Sequence, residues 1–317
     1  MLRIYYKKNT RLAKESDVNL LREIQLESLV WIDLQNPTVE EKVTIETYFD
    51  IKYSSEEESV EIESSSRFSE VDNEIIINSN FLSIREHGFE YSPVSMILEK
   101  GILFTYRDDD LKTFGESVKK IKSNPTLFIN GYQILSTILE TCIDQDADLI
   151  ENIAKEIAEL NKSLKATNEK VDEEDLLKIS SLQNDNMMLR ENIIDKQRMI
   201  SALMRSSTFP EEYMGVLRLM IKDISSLLEH NKFAFERLEY LQDTFMGLIN
   251  IEQNRIIKIF TVATVAFMPP TLIASIYGMN FKSMPELQWE LGYAVAIFLM
   301  ILSSFGTLIY FRKKRWL

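Results

Sequence analysis

The chain of 317 residues holds one cysteine, Cys142, and two histidines, His87 and His230. A single thiol cannot close an internal disulfide, so nothing in the fold rests on an oxidising compartment. Two imidazoles leave little room for a histidine-built zinc or iron centre. Glycine and proline are scarce, at nine and seven. There is no glycine-rich phosphate loop, no Gly-x-Ser-x-Gly elbow and no cysteine–histidine cluster, so no catalytic motif is visible. No apolar core follows the start Met1-Leu-Arg-Ile-Tyr-Tyr-Lys-Lys8, so no signal peptide is expected and the N-terminus is expected in the cytosol.

Positive charge is also short, except at one end. From Arg255 onward seven basic residues face two acidic ones, so residues 1–254 carry −18 behind the net −13. Such a segment repels nucleic acid and attracts cations. Charge alone also suits a merely soluble domain.

The first 125 residues read as a mixed α/β domain. Leu2–Tyr6 reads as a strand, and Asn36-Pro37-Thr38 with Glu41 predicts a capped helix to about Phe49. Ser59–Glu63 alternates, Ile75–Ile84 opens with a β-branched run, and Val94–Leu98 with Ile102–Tyr106 form a predicted hairpin around Lys100-Gly101. A helix over Leu111–Lys122 is expected to stop at Pro125. Residues 126–209 have no proline and one glycine, and Leu149, Ile153, Ile157, Leu160 and Leu164 recur at helical spacing. Two long antiparallel helices are expected there, broken near Ala166–Asp175, where Asp172–Asp175 reads as a solvated, helix-capping turn or a cation trap.

Pro210 opens a third helix with Glu211 and Glu212 in its first turn. No proline interrupts it until Pro269. At 1.5 Å per residue that is about 90 Å, too long for one globular layer. It is expected to run as a stalk over 210–277 into a first membrane span at about 256–277. A second span covers 289–311, after a loop at 278–288 and before a basic tail at 312–317. Uncharged runs over Ile259–Tyr277 and Leu291–Phe311 are long enough to cross a bilayer. Arg255, Lys258 and Arg312–Arg315 flank the spans, and the loop between has only Lys282. The positive-inside rule then puts both termini in the cytoplasm. Trp289 and Trp316 fit as interface anchors at opposite ends of the second span.

Along the stalk and first span, Asp243, Asn250, Ile257, Thr264 and Thr271 recur every seven residues. Gly247, Asn254, Thr261 and Met268 form a second register. Interleaved, they make a seam of mostly small or polar residues at the spacing that faces a helical partner or an axis. Polar groups in lipid face a bundle interior or water. Close packing between the two spans is the other reading. Two spans cannot enclose a pore, so a homo-oligomer is expected. Pro269-Pro270 interrupts hydrogen bonding within the first span and reads from the residues as a tolerated kink. Gly278 allows a left-handed or tight helix end.

Tyr277-Gly278-Met279-Asn280-Phe281, with Met284-Pro285-Glu286-Leu287 behind it and a span on either side, resembles the signature of the CorA family of divalent-cation channels, which carry magnesium into cells. The match is sharp over about residues 250–315 and architectural before them. It implies an α+β cytoplasmic domain, an α/β/α layer, followed by a long stalk helix and two transmembrane helices in a funnel-shaped homopentamer of the inner membrane. Gly278, Met279 and Asn280 would form the selectivity filter, with Glu286 at the outer mouth. Asn250, Asn254, Thr261, Thr264, Met268 and Thr271 would line the pore, with a hydrophobic constriction at Ile257 and Phe260. Mg2+ would be both substrate and regulatory ligand, with Co2+ and Ni2+ as further substrates. Mg2+ held between cytoplasmic domains would keep the pore shut, and Asp223, Glu229 and Asp243 are the candidate regulatory carboxylates.

Two alternatives stay open. A ZntB-like zinc transporter shares Gly-Met-Asn, although Met284–Leu287 favours the CorA branch. A two-span sensor would predict a larger external domain than this loop of about a dozen residues, and it leaves the polar seam unexplained.

Overall fold

The computed structural model describes residues 1–8, 11–53, 67–71, 73–85, 88–124, 128–166, 173–280, 282 and 284–314. The alternation at 59–63, His87, Pro125, Asp172, Phe281, Arg315, Trp316 and the Glu286 side chain lie outside that description. Two compact units are present, one of Met1–Ser163 with Glu173–Leu241 and one that includes Gln242–Leu317.

In the first unit seven strands form one sheet: β1 Leu2–Lys8, β2 Arg11–Glu15, β3 Leu29–Gln35, β4 Phe68–Val71, β5 Glu74–Arg85, β6 Gly88–Glu99 and β7 Ile102–Arg107. Their order is β2-β1-β3-β7-β6-β5-β4. β3 and β7 are parallel, and the other described pairs are antiparallel. The β6–β7 hairpin forms where expected, with Lys100 at φ 49 and Gly101 at φ 79. Both positive angles belong to the tight turn that matches strand twist.

Helix α1, Val39–Phe49, starts at the expected capping box. The Thr38 hydroxyl accepts from Glu41 N–H at 3.1 Å, and Thr38 N–H donates to Glu41 Oε2 at 2.9 Å. Ile45 of α1 packs on one sheet face with Leu2, Ile4, Ile32, Leu34 and Phe104. Helix α2, Lys112–Ser123, covers the other face, where Phe114 meets Trp31 and Phe81 at 6.2 and 5.9 Å between ring centroids. Covering both faces makes β3 buried from Leu29 through Leu34, the mark of a central parallel strand. Periodicity does not single out β3, β2 or β4.

Asp33 sits fully buried in β3. It accepts from Arg3 at 2.9 Å, Arg107 at 3.1 Å and the Thr105 hydroxyl at 2.9 Å. A buried carboxylate needs that many donors to offset lost hydration.

Helix α3, Gly131–Ala166, begins against the β6–β7 turn, where Gly131 N–H donates to Gly101 C=O at 2.6 Å. Any side chain at 131 would collide with the Leu103 amide and Gly101 carbonyl. Helix α4, Glu173–Leu203, runs antiparallel to it, as the pairs Asp146–Lys196 and Glu156–Lys178 require. Lys196 and Asp146 are both buried, and each carboxylate oxygen lies within 2.8 Å of the ammonium. Cys142 is buried nearby, and burial pushes its thiol up to about 12, far from a reactive thiolate.

Pro210 does not open an α-turn directly. It caps a 3-10 turn at Glu211–Tyr213, which leads into helix α5, Met214–Tyr277, 64 residues without a break. Tight first turns of this kind are common at helix starts. Asn186 of α4 and Asn231 of α5, both buried, join the two helices in the first unit. Each amide donates to the other residue's backbone carbonyl, at 3.2 and 3.0 Å.

Candidate functional site

The second unit contains the end of α5 and helix α6, Gly292–Lys313. Both are long and apolar enough to cross a membrane, with mean hydropathy of 1.8 and 2.2 in their best windows. Those windows are only 11% and 6% buried within the chain. A soluble core helix of that composition would be enclosed, so these surfaces need lipid or other chains.

One face of α5 is covered. Val262 and Ala266 are buried, and Val265, Pro269, Ile273 and Tyr277 are half-buried. On α6 the less exposed positions are Gly292, Ala296, Met300, Ser303, Ser304, Thr307 and Phe311. These are mostly small residues at helical spacing, the composition that lets spans approach closely. Pro270 has no N–H to give the carbonyl of Ala266, its partner four residues back. The Ser304 hydroxyl of α6 donates to that carbonyl at 3.1 Å. Sequence reasoning did not find Ser304; its signal is the row of small residues along α6.

The polar seam lies on the opposite face. At about 100° per residue, Thr264 points about 160° away from both Val262 and Ala266. Asn250, Asn254, Ile257, Thr261, Thr264, Met268 and Thr271 are all exposed. Phe260 is exposed as well and flanks the seam. Packing between the two spans therefore does not explain the seam, because α6 covers the other side.

The seam hydroxyls are oriented by their own helix. Thr261, Thr264 and Thr271 donate to the carbonyls of Ile257, Phe260 and Phe267 at 2.7, 2.9 and 2.8 Å. Each hydroxyl proton is thereby used, and the oxygen lone pairs remain as acceptors on the exposed face. The result is a column of neutral oxygen acceptors.

At the end of α5 Gly278 takes the tight form of the two expected and not the left-handed one: among the described glycines only Gly88 and Gly101 have positive φ. Gly278 instead continues the helical bonding, donating to Ala274 C=O at 2.9 Å, and Met279 N–H closes a tighter turn onto Ile276 C=O at 3.2 Å. The tightness does call for glycine, since a Cβ at 278 would stand 3.1 Å from the Ala274 carbonyl oxygen. Met279 and Asn280 are exposed. A 3-10 turn at Pro285–Gln288 leads to α6.

Asp223, Glu229 and Asp243 are exposed along α5. Among the described residues no three His, Cys, Asp or Glu side chains gather as a metal-binding group within one chain. A divalent ion held by these carboxylates would need donors from a second chain or from water.

Comparison with known proteins places this architecture. The family profile described as CorA-like Mg2+ transporter protein matches residues 27–313. Magnesium transport protein CorA of Wolinella succinogenes is 40% identical over 322 aligned positions, covering all of both chains. Its namesake from Campylobacter jejuni strain RM1221 is 36% identical, again over all of both chains. The fold is similar to the complete structure of the CorA magnesium transporter from Methanocaldococcus jannaschii, with a TM-score of 0.82, 22% identity, and coverage of 100% and 99% of the two chains. A membrane-compatible helix pair on an α+β unit, matched across nearly the whole length, makes this chain a member of the CorA-like Mg2+ transporter family.

Proposed function

We propose that this chain carries Mg2+ into the cytosol through a homopentamer in which the α5 seams of several copies face a common axis. The observation that carries this reading is the column of Thr261, Thr264 and Thr271 oxygens, turned outward opposite α6 with their protons already used. Mg2+ sheds its roughly six octahedral waters reluctantly. Neutral acceptors that bond those waters let the ion pass hydrated, and they hold it weakly enough to release it.

In this reading Gly278, Met279 and Asn280 form the outer filter and Glu286 concentrates cations at the mouth. Ile257 and Phe260 form the hydrophobic constriction, below Thr261, Thr264, Met268 and Thr271. Asn250 and Asn254 line the cytoplasmic end. Both termini lie on the cytoplasmic side of the inner membrane, and Co2+ and Ni2+ are further substrates. Asp223, Glu229 and Asp243 supply carboxylates that, shared between chains, hold Mg2+ and keep the assembly closed.

The test is influx into proteoliposomes holding the purified protein, wild type beside Asn280→Ala, with Mg2+ and Zn2+ in parallel. Mg2+ influx that disappears in an intact Asn280→Ala assembly supports the reading. Zinc entry without magnesium would move the protein to the ZntB-like branch, and no entry of either would leave a two-span sensor.

A further inference from the structure

A cleft of about 440 Å³ opens in the first unit between the β4–β5 edge of the sheet and the C-terminal turns of α4. Its volume falls in the usual range for small-molecule sites. Three arginines line it, Arg67, Arg198 and Arg205, with Asp195 as the one carboxylate. That local +2 sits in a segment carrying −18, so the cleft gathers anions that the rest of the surface repels.

The three guanidinium groups are not equally engaged. Arg67 is ion-paired with Asp195, and Arg198 reaches the same carboxylate only at 3.5 Å. The Arg198 side chain is 67% exposed. Arg205 is exposed and has no ion pair among the described residues. Asp195 is shared between Arg67 and the more distant Arg198, leaving Arg205 and the outer part of the exposed Arg198 fork to grip an incoming anion. Planar guanidinium groups bind phosphate oxygens in pairs. Ser201 adds a hydroxyl, while Phe68 and Met199 supply an apolar wall on which a flat ring can rest.

We propose that this cleft binds a polyphosphate anion of nucleotide size. Three guanidinium groups around a single carboxylate, two of them exposed, favour a ligand with several adjacent negative charges over a lone monoanion. The proposal is independent of the transport reading, because it concerns a cleft of the first unit and is read out by binding.

The experiment is calorimetric titration of the full chain in lipid nanodiscs, in Mg2+-free buffer, with ATP and with inorganic tripolyphosphate. Saturable binding is expected, weakened at least tenfold by Arg198→Ala with Arg205→Ala and kept within a few-fold by lysine at both positions. Both arginines are exposed, and the lysine variant serves as the control for folding. Tripolyphosphate binding as tightly as ATP would place recognition in the phosphates, and tighter ATP binding would add the Phe68 wall; either supports the proposal. Absence of saturable heat from both probes, equal affinity in the double alanine variant, or equal competition by sulfate at matched ionic strength would each overturn it.

Discussion

The Ser304 hydroxyl donates at 3.1 Å to the Ala266 carbonyl, the one whose helical partner Pro270 has no N–H to offer. In a bilayer no water reaches such a group, so neighbouring hydroxyls make proline tolerable in a span. Ser304→Ala is expected to weaken the α5–α6 pair by about 0.6 kcal/mol, and by no more than about 2. In a Pro270→Ala background the helix satisfies its own carbonyl, so the same change should be near neutral. Unfolding in mixed micelles across this double-mutant cycle measures the coupling, and strict additivity would show that Ser304 has no part in accommodating Pro270.

Thr264→Val keeps the shape of the side chain and removes only the oxygen. The helix loses nothing it needs, because the Thr264 proton went to a carbonyl inside the same helix. A lost acceptor for one water of a hydrated ion, worth about 1 kcal/mol, predicts Mg2+ influx slower by about fivefold. Unchanged influx in a correctly assembled variant would mean the threonine column does not meet the ion.

Asp223→Asn, Glu229→Gln and Asp243→Asn together remove three exposed carboxylates from α5. If those groups hold Mg2+ between chains, the triple variant should keep conducting when Mg2+ is high on the cytoplasmic side, whereas the wild type closes. Influx into vesicles preloaded with Mg2+ reads this directly. Inhibition equal to wild type would place the regulatory donors elsewhere.

Asn186 and Asn231 hold α4 to α5 through reciprocal amide bonds in a buried position. Removing one partner strands polar groups away from water, so Asn231→Ala is expected to cost about 1–3 kcal/mol. Asn186→Ala added to it should cost clearly less than the sum of the two single changes. Denaturant unfolding followed by helix signal distinguishes that outcome from simple additivity.

Local chemistry made part of the fold readable from sequence. Thr38 and Glu41 announce α1, Lys100-Gly101 announces a turn, and the uncharged runs announce α5 and α6. The seam was readable because a seven-residue period survives without knowledge of any partner. Strand β3 was not, since Leu29–Leu34 is buried on both faces and shows no alternation. Its charge, Asp33, is acceptable because Arg3, Thr105 and Arg107, the last 74 residues later in the chain, come to lie beside it. Ser304 was hidden for the same reason, as its partner carbonyl lies 38 residues away. Glycine at 278 allowed either a left-handed or a tight helix end, because it serves both positive φ and close approach, and the backbone takes the tight one.

Phe260 and Phe267 lie seven residues apart, so they form a column of their own beside the oxygens. Each stands four residues before a seam threonine, Phe260 before Thr264 and Phe267 before Thr271, which is about 40° around the axis. Both rings are exposed, at 67% and 70%. α5 therefore carries a wettable column and a water-repelling one side by side on the surface that α6 leaves open. A roll of about a ninth of a turn puts a ring where a threonine oxygen stood without breaking one of the helix's backbone hydrogen bonds.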